Sequence, residues 1–348
     1  MGQLKHRRPG AGRSGRRLAA TTLAAASALA LLASGCGTAA RSAPSPPGSA
    51  TTQRSSSGSP TSTRSPRPAG TTTTTPAPTT TARPTAQPGW TVVDETAGRI
   101  LVDTRTYHFP DGDSVTLVRY HAGTFRLDFH LGSLNPPSAG FPVTAADGDA
   151  ISAAERPELI GAFNGGFETS TGSGGVELDG RVLVPLVTGN ASLVVYSGGT
   201  AQVGPWGEDG VPARGRQVVS VRQNLTPLIS AGTVSPEVGD VAAWGAELYG
   251  VPGTARSAVG TDRSGDLVYA ASMAALPADL ASALQDAGVT NAMELDINPY
   301  WIQGDVATRP GGSLRAAIPG QQRPADTYLL GWTRDFYAVL AASPGHRG

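Results

Sequence analysis

Asn291–Trp301 reads NAMELDINPYW. It has the composition of a buried strand that ends in a polar, aromatic loop. Glu294 and Asp296 stand two apart, so on a strand they leave the same face, roughly 6–7 Å from each other. Met293, Leu295 and Ile297 leave the other face. Burying a carboxylate is unfavourable unless the group is paired. Asn298-Pro299 ends the strand, because proline donates no ladder hydrogen bond.

The segments before this strand set its context. Pro277–Ala287 is the clearest helix: Pro277 suits the first helical position, Gly288 suits the C-terminal cap, and Leu276, Leu280 and Leu284 fall at helical spacing. Asp266–Ala271 reads as a strand. Asp266–Ile297 is therefore a strand–helix–strand unit, expected to have parallel strands and a right-handed crossover. Functional groups in such units gather at the carboxyl ends of the strands, where Glu294 and Asp296 lie. Further upstream, Ala255–Gly260 should pair with Asp266–Ala271.

The middle of the chain is a β-rich meander. Asp179-Gly180 between Val176–Leu178 and Arg181–Leu186 signals a type I′ hairpin. Gly198-Gly199 joins Ser192–Tyr196 to Ala201–Val203. Val115–His121 and Thr124–Leu131 alternate apolar and polar residues around a short turn and predict another hairpin. His121 and His130 lie on it with no third His or Cys at metal spacing, which points to a surface or structural role for each. The fold class expected is α/β (α+β), a mixed β-sheet domain with β-hairpins and the strand–helix–strand unit near its C-terminus.

The N-terminal quarter is different in kind. Six Lys or Arg residues precede the apolar run Leu18–Ala33, and Ala33-Ser34-Gly35-Cys36 follows with the only cysteine of the chain. The flanks are those of a signal peptide, and the run is short for a membrane span. The ending resembles a bacterial lipobox, which implies cleavage before Cys36, lipidation of its thiol and a domain on the outer face of the cytoplasmic membrane. Residues 37–89 are rich in Ser, Thr, Pro and Gly with almost no large apolar side chain, so they are expected to form a disordered linker. Residues 90–348 form the globular part. They hold 16 Arg, no Lys and 27 Asp or Glu, a net charge of −11. That balance argues against a nucleic-acid partner. A single cysteine excludes an intrachain disulfide.

Three motifs stand in order along this part: Ala162–Phe167 (AFNGGF), Arg256–Gly260 (RSAVG) and Ala292–Asp296 (AMELD). Together with Thr226–Gly232 (TPLISAG) they resemble the phosphodiester glycosidase family, that is, the N-acetylglucosamine-1-phosphodiester alpha-N-acetylglucosaminidase-like domain. The resemblance spans roughly Leu159–Asp296. It implies an α/β domain with a mixed sheet, hydrolysis of sugar-1-phosphate diesters at the glycosidic bond, and a carbohydrate or glycosyl-phosphate polymer as partner. Asn164, Gly165, Gly166, Arg256 and Asp296 are the positions that match. The chain departs from the family where small glycines give way to Ile297–Trp301, and at Glu294.

The residue chemistry supports the same expectation. A carboxylate near an anomeric carbon can act as nucleophile, base or charge stabiliser, and Asp296 and Glu294 could divide acid and base roles. Arg256 suits a phosphate through parallel hydrogen bonds. Backbone N–H groups at Asn164, Gly165 and Gly166 could form an anion nest. Tyr300 and Trp301 could stack on a sugar, and Glu177 is a further carboxylate candidate. Asp296, Glu294, Arg256 and Asn164 are thus the candidate catalytic residues; Gly165, Gly166, Glu177, Trp301 and Tyr300 are candidates for substrate binding. No cofactor is expected, and a divalent cation is left open. The residue types leave three alternatives: Arg256 in a buried salt bridge with Asp296 or Glu294, the two aromatics in packing, or Ca²⁺ or Mg²⁺ on the carboxylates, for which EF-hand spacing is absent. A non-catalytic glycan-binding or structural envelope lipoprotein is the competing function.

Overall fold

The computed structural model describes residues 88–137, 140, 149–245 and 253–343. The expected signal segment, its lipobox and the linker up to residue 87 lie outside the described residues. The first strands are β1 (Thr91–Thr96), β2 (Arg99–His108), β3 (Ser114–Tyr120), β4 (Phe125–His130) and β5 (Leu159–Asn164). The meander supplies β6 (Val176–Leu178), β7 (Arg181–Val184), β8 (Ala191–Tyr196), β9 (Ala201–Pro205) and β10 (Val218–Gln223). Two short strands follow, β11 (Ile229–Ser230) and β12 (Thr233–Val234), before β13 (Thr254–Asp262) and β14 (Leu267–Ala275). Helix α1 (Pro277–Asp286) leads into β15 (Val289–Glu294), β16 (Gly304–Val306) and β17 (Arg315–Ala316). The short helix α2 (Thr327–Leu330) precedes β18 (Phe336–Ala341).

These strands form an eight-stranded sheet in the order β1-β2-β3-β14-β13-β15-β11-β12, and two five-stranded sheets, β7-β6-β10-β8-β9 and β17-β16-β5-β18-β4. The fold is α+β and predominantly β. The described ladders between named strands are all antiparallel, so the sheets are not mixed in that sense. The strand–helix–strand unit keeps its parallel sense in another way. β14 and β15 both run antiparallel to β13, which lies between them, so they are parallel to each other without pairing.

The hairpins at Asp179-Gly180 and Gly198-Gly199 are present. Asp179 (φ 49°) and Gly180 (φ 71°) both take the left-handed region that a type I′ turn demands. The hairpin expected of β3 and β4 is not formed. The turn closes, with Thr124 N–H donating to His121 O at 3.0 Å. But β3 is flanked by β2 and β14 in the large sheet, whereas β4 pairs with β18 in another. Alternation marks the strands and the turn; it does not say which edge is free. Pro277 starts α1 as expected, and Leu280 and Leu284 are buried, whereas Leu276 precedes the helix in extended backbone and stays exposed.

The main core lies where the inner faces of the three sheets meet, with Leu127, Phe163, Leu193, Val259, Tyr269, Met293 and Val339 all buried there. The alternation of β15 divides its side chains. Met293 joins this core, while Ala292 joins the layer under α1, with Leu280, Leu284 and Trp244. Glu294 follows the α1 side by its parity. Close backbone contact is also required. Gly161 of β5 lies between β16 and β18, and a Cβ there would land on the Tyr120 hydroxyl and 2.9 Å from Asp305 O. Gly161→Ala is expected to lower stability by about 1–3 kcal/mol in denaturant unfolding, the usual cost of overpacking a filled core. An unchanged midpoint would mean that the three layers are less tightly apposed than described.

Candidate active site

The ladder between β13 and β15 continues beyond Glu294. Leu295 N–H donates to Ser257 O at 2.7 Å and Ser257 N–H to Asp296 O at 2.9 Å. Asp296 therefore stands at the carboxyl end of the strand, where the chain turns. Its Oδ1 accepts from the N–H groups of Ile297 (2.8 Å) and Asn298 (2.9 Å), so the carboxylate caps the turn that Asn298-Pro299 makes. Its Oδ2 accepts from Arg334 Nη2 at 3.2 Å. Arg334 sits just before β18 and ties three elements together. It also donates to Gly166 O at 3.0 Å and to Glu168 Oε1 at 3.1 Å, and it faces the Trp301 ring at 4.9 Å.

This cluster opens on a cleft of about 650 Å³, whose lining includes Asp296, Asn298, Trp301, Arg334, Glu168 and Phe167. Glu168 is half-exposed, while Asp296 and Arg334 are buried. Burial pushes the Asp296 carboxyl up to about 7, although Arg334 and the two backbone N–H groups pull it down. Such a group changes charge near neutrality, as acid–base chemistry requires.

The other predicted residues divide into those that support this cluster and those that stand apart. Asn164 is buried in full hydrogen-bonded satisfaction. Its Nδ2 donates to Gly165 O (2.9 Å) and Ser257 Oγ (3.0 Å), and its Oδ1 accepts from Tyr269 Oη (2.8 Å) and Gln303 N (3.2 Å). Ser257 Oγ in turn accepts from Asp296 N at 3.2 Å. Asn164 thus positions the Asp296 backbone and does not line the cleft.

The anion nest expected at Asn164–Gly166 is closed by the protein itself. Asn164 N–H donates to Gln303 O, Gly165 N–H to Asp335 O, and Gly166 N–H to Asp335 Oδ2 at 3.4 Å. The glycines are needed because the Asp335 carboxylate fills the space a Gly165 Cβ would take, and because the Arg222 guanidinium lies 3.0 Å from a Cβ at Gly166. Arg222 Nε donates to Asp335 Oδ2 at 2.8 Å, and both side chains are fully buried. The turn therefore wraps an internal ion pair and is not open to a phosphate.

Arg256 is likewise corrected from phosphate ligand to buried partner. Its Nη1 donates to Glu294 Oε1 at 2.6 Å and to Trp244 O at 2.9 Å, and its Nε to Ala275 O at 3.1 Å. Both Arg256 and Glu294 are wholly buried, and neither lines the cleft. Burial pushes Glu294 up to about 8 against the pull of Arg256. Glu294 and Asp296 thus do not share a cleft, although the Asp296 charge adds to the upward push on Glu294. Glu177 sits on β6 between β7 and β10, away from the cleft lining. Tyr300 is exposed and outside that lining, while Trp301 is in it.

Sequence reasoning missed Arg334, Glu168, Arg222 and Asp335. A signal was present for three of them: Arg334-Asp335 is a charged pair set between the aromatic residues Trp332 and Phe336 at the start of a strand. Glu168 directly follows the AFNGGF motif.

No family model and no curated protein matches the chain. Among solved structures it is similar to the zebrafish N-acetylglucosamine-1-phosphodiester alpha-N-acetylglucosaminidase catalytic domain auto-inhibited by its pro-peptide. That likeness has 16% identity over 73% of this chain and 88% of the other, with a TM-score of 0.46. It is also similar to a hypothetical protein from Synechocystis, with 14% identity over 69% of this chain and 62% of that one, and a TM-score of 0.39.

Two stability measurements test these assignments. Removing Arg256 leaves the buried Glu294 carboxyl without its donor, so Arg256→Met should lose about 1–3 kcal/mol. Arg256→Met with Glu294→Leu should lose less than the two single losses together, by about 0.5–3 kcal/mol, and simple additivity would contradict the pairing. The pH dependence follows from Asp296 and Asp305, both pushed by burial from an ordinary 3.8 up to about 7. The unfolded chain releases these protons near pH 4, while the folded chain keeps them until about pH 7. Stability from these groups is therefore full below pH 4 and falls as pH rises towards 7. The denaturant midpoint should be higher at pH 5 than at pH 7.5, and Asp305→Asn should shrink the difference.

Proposed function

We propose that the chain is an extracytoplasmic hydrolase that cleaves the glycosidic bond of sugar-1-phosphate diesters in cell-wall or exopolysaccharide polymers. The ordered motifs of the sequence suggest the substrate class. The observation that carries the reading is the Asp296–Arg334–Glu168 cluster opening beside Trp301 on one cleft.

Each residue has a role in this reading. Arg334 has five N–H groups, of which three are engaged with Glu168, Gly166 and Asp296. The buried Nε–H has no hydrogen-bond partner among the described residues. Arg334 offsets the charge of the phosphate as it leaves. Trp301 supports the sugar ring through its apolar face. Asp296, in its ionised form, takes the proton of a water molecule. The water oxygen forms a bond to the anomeric carbon, and the bond from that carbon to the phosphate oxygen breaks with its electron pair staying on the phosphate. The leaving group is a phosphate already near an arginine, so it needs no proton from an acid. Glu168 holds Arg334 in orientation from the open side.

Export and lipidation at Cys36 belong to the same reading and place the cleft outside the cytoplasmic membrane, with a wall polymer within reach. No helix of the described residues is long and apolar enough to cross a membrane.

Release of free sugar from a synthetic sugar-1-phosphate diester tests the activity. Asp296→Asn should reduce kcat by about 10²–10⁴-fold, as loss of a general base does. In the parent, kcat/KM should rise as pH climbs through about 7, where Asp296 ionises. Arg334→Lys should lower kcat more than it raises KM, because its charge is needed most as the phosphate departs. Tight binding of the diester with no release of sugar would instead make the chain a glycan-binding protein. Activity that survives Asp296→Asn would remove the role given to that residue.

A further inference from the structure

A second cluster of charged side chains lies apart from the cleft, on the edge strand β4. Asp128 and His130 stand two apart there and so leave the same face. Glu155, just before the 3₁₀ turn at Arg156–Glu158, comes against both. One ligand atom from each of Asp128, His130 and Glu155 lies within 4.8 Å of the others. Glu155 Oε1 is 2.9 Å from His130 Nε2, and Asp149 Oδ2 is 3.5 Å from His130 Nδ1. The imidazole is buried and stacks on Phe336 at 4.7 Å with an interplanar angle of 5°, which holds its orientation.

Charge makes this cluster unusual. Asp128 and Glu155 bring carboxylate oxygens within 4.8 Å of each other and of the imidazole, an approach that a cation between them would favour. Asp149 adds a third carboxylate. The nearby Arg126 is engaged with Glu158 at 2.6 Å. Even a protonated His130 leaves the group negative. The arrangement has a chemical solution in metal binding. A ligating histidine commonly gives its second ring N–H to a carboxylate, and Asp149 stands where that partner is required.

We propose that Asp128, His130 and Glu155 bind a divalent cation of the zinc type, with Asp149 as the carboxylate that orients the imidazole. One nitrogen and two carboxylate ligands suit zinc better than magnesium or calcium, which take oxygen donors alone. Three protein ligands leave a position for water. The ion would join edge strand β4 to the segment from Asp149 to Glu155, and through the ring stack to β18. It has no part in the chemistry of the cleft. The sequence offered no further His or Cys for His130 at metal spacing; the fold instead brings Glu155, 25 residues away, against its ring.

The test is zinc binding by the full chain, purified without an affinity tag and stripped with a chelator, followed by calorimetric titration and thermal unfolding. One Zn²⁺ per chain and a raised unfolding midpoint are expected, with no comparable effect of Mg²⁺. His130→Gln and Asp128→Asn should each weaken binding at least 10-fold, and Asp149→Asn by about 10–100-fold. Their zinc-free unfolding midpoints should stay near that of the parent. If His130→Gln does not fold, the nearly isosteric Asp128→Asn decides. Absence of binding, or binding unchanged in both Asp128→Asn and Glu155→Gln, would overturn the proposal, the latter because zinc would then be held elsewhere.

Discussion

A charge taken out of water must find its opposite, and this requirement organises the region where the three sheets converge. Arg222 meets Asp335, Arg256 meets Glu294 and Arg334 meets Asp296. Each pair joins separate strands or the residues leading into them. Arg222 is on β10 of one sheet, while Asp335 enters β18 of another. An isolated ion in such surroundings would be strongly unfavourable, whereas a paired and hydrogen-bonded one is tolerated. The pairs therefore discriminate against other packings of the sheets even where their net contribution to stability is small.

Of the three pairs, only Arg334–Asp296 borders the cleft. The difference arises at the end of β15. Glu294 is still inside the ladder, under the layer that includes Trp244, so its carboxylate is enclosed. Asp296 lies two residues further on, where the backbone turns away and leaves one side of the carboxylate at the cleft wall. Asn164, Ser257 and Tyr269 then hold that turn from beneath through a continuous set of hydrogen bonds. Reactivity at Asp296 would thus depend on residues that never touch a substrate.

Much of the fold was legible in the chain. The type I′ hairpin at Asp179-Gly180, helix α1 and the buried strand Val289–Glu294 each carry a local signal strong enough to survive tertiary context. The pairing of β3 was not legible, because alternation marks a strand but not its neighbours. Of the candidate residues, Asp296 and Trp301 lie at the cleft, whereas Asn164, expected at the reacting centre, is buried behind Asp296. The glycines of AFNGGF were rightly seen as permitting close approach, but what approaches is the Asp335 side chain and not a ligand.

The sequence by itself determined the local grammar: where most of the longer strands and helix α1 lie, and where glycine must turn the chain. Local conformation depends on neighbours within a few residues, and those are given. Only the tertiary structure decided which arginine serves which carboxylate. Arg334 and Asp296 are 38 residues apart, and Arg222 and Asp335 are 113 apart. Their pairing depends on how the sheets stack. The low permittivity of the interior then makes that choice consequential, enclosing Arg256 with Glu294 and leaving Arg334 with Asp296 at the cleft.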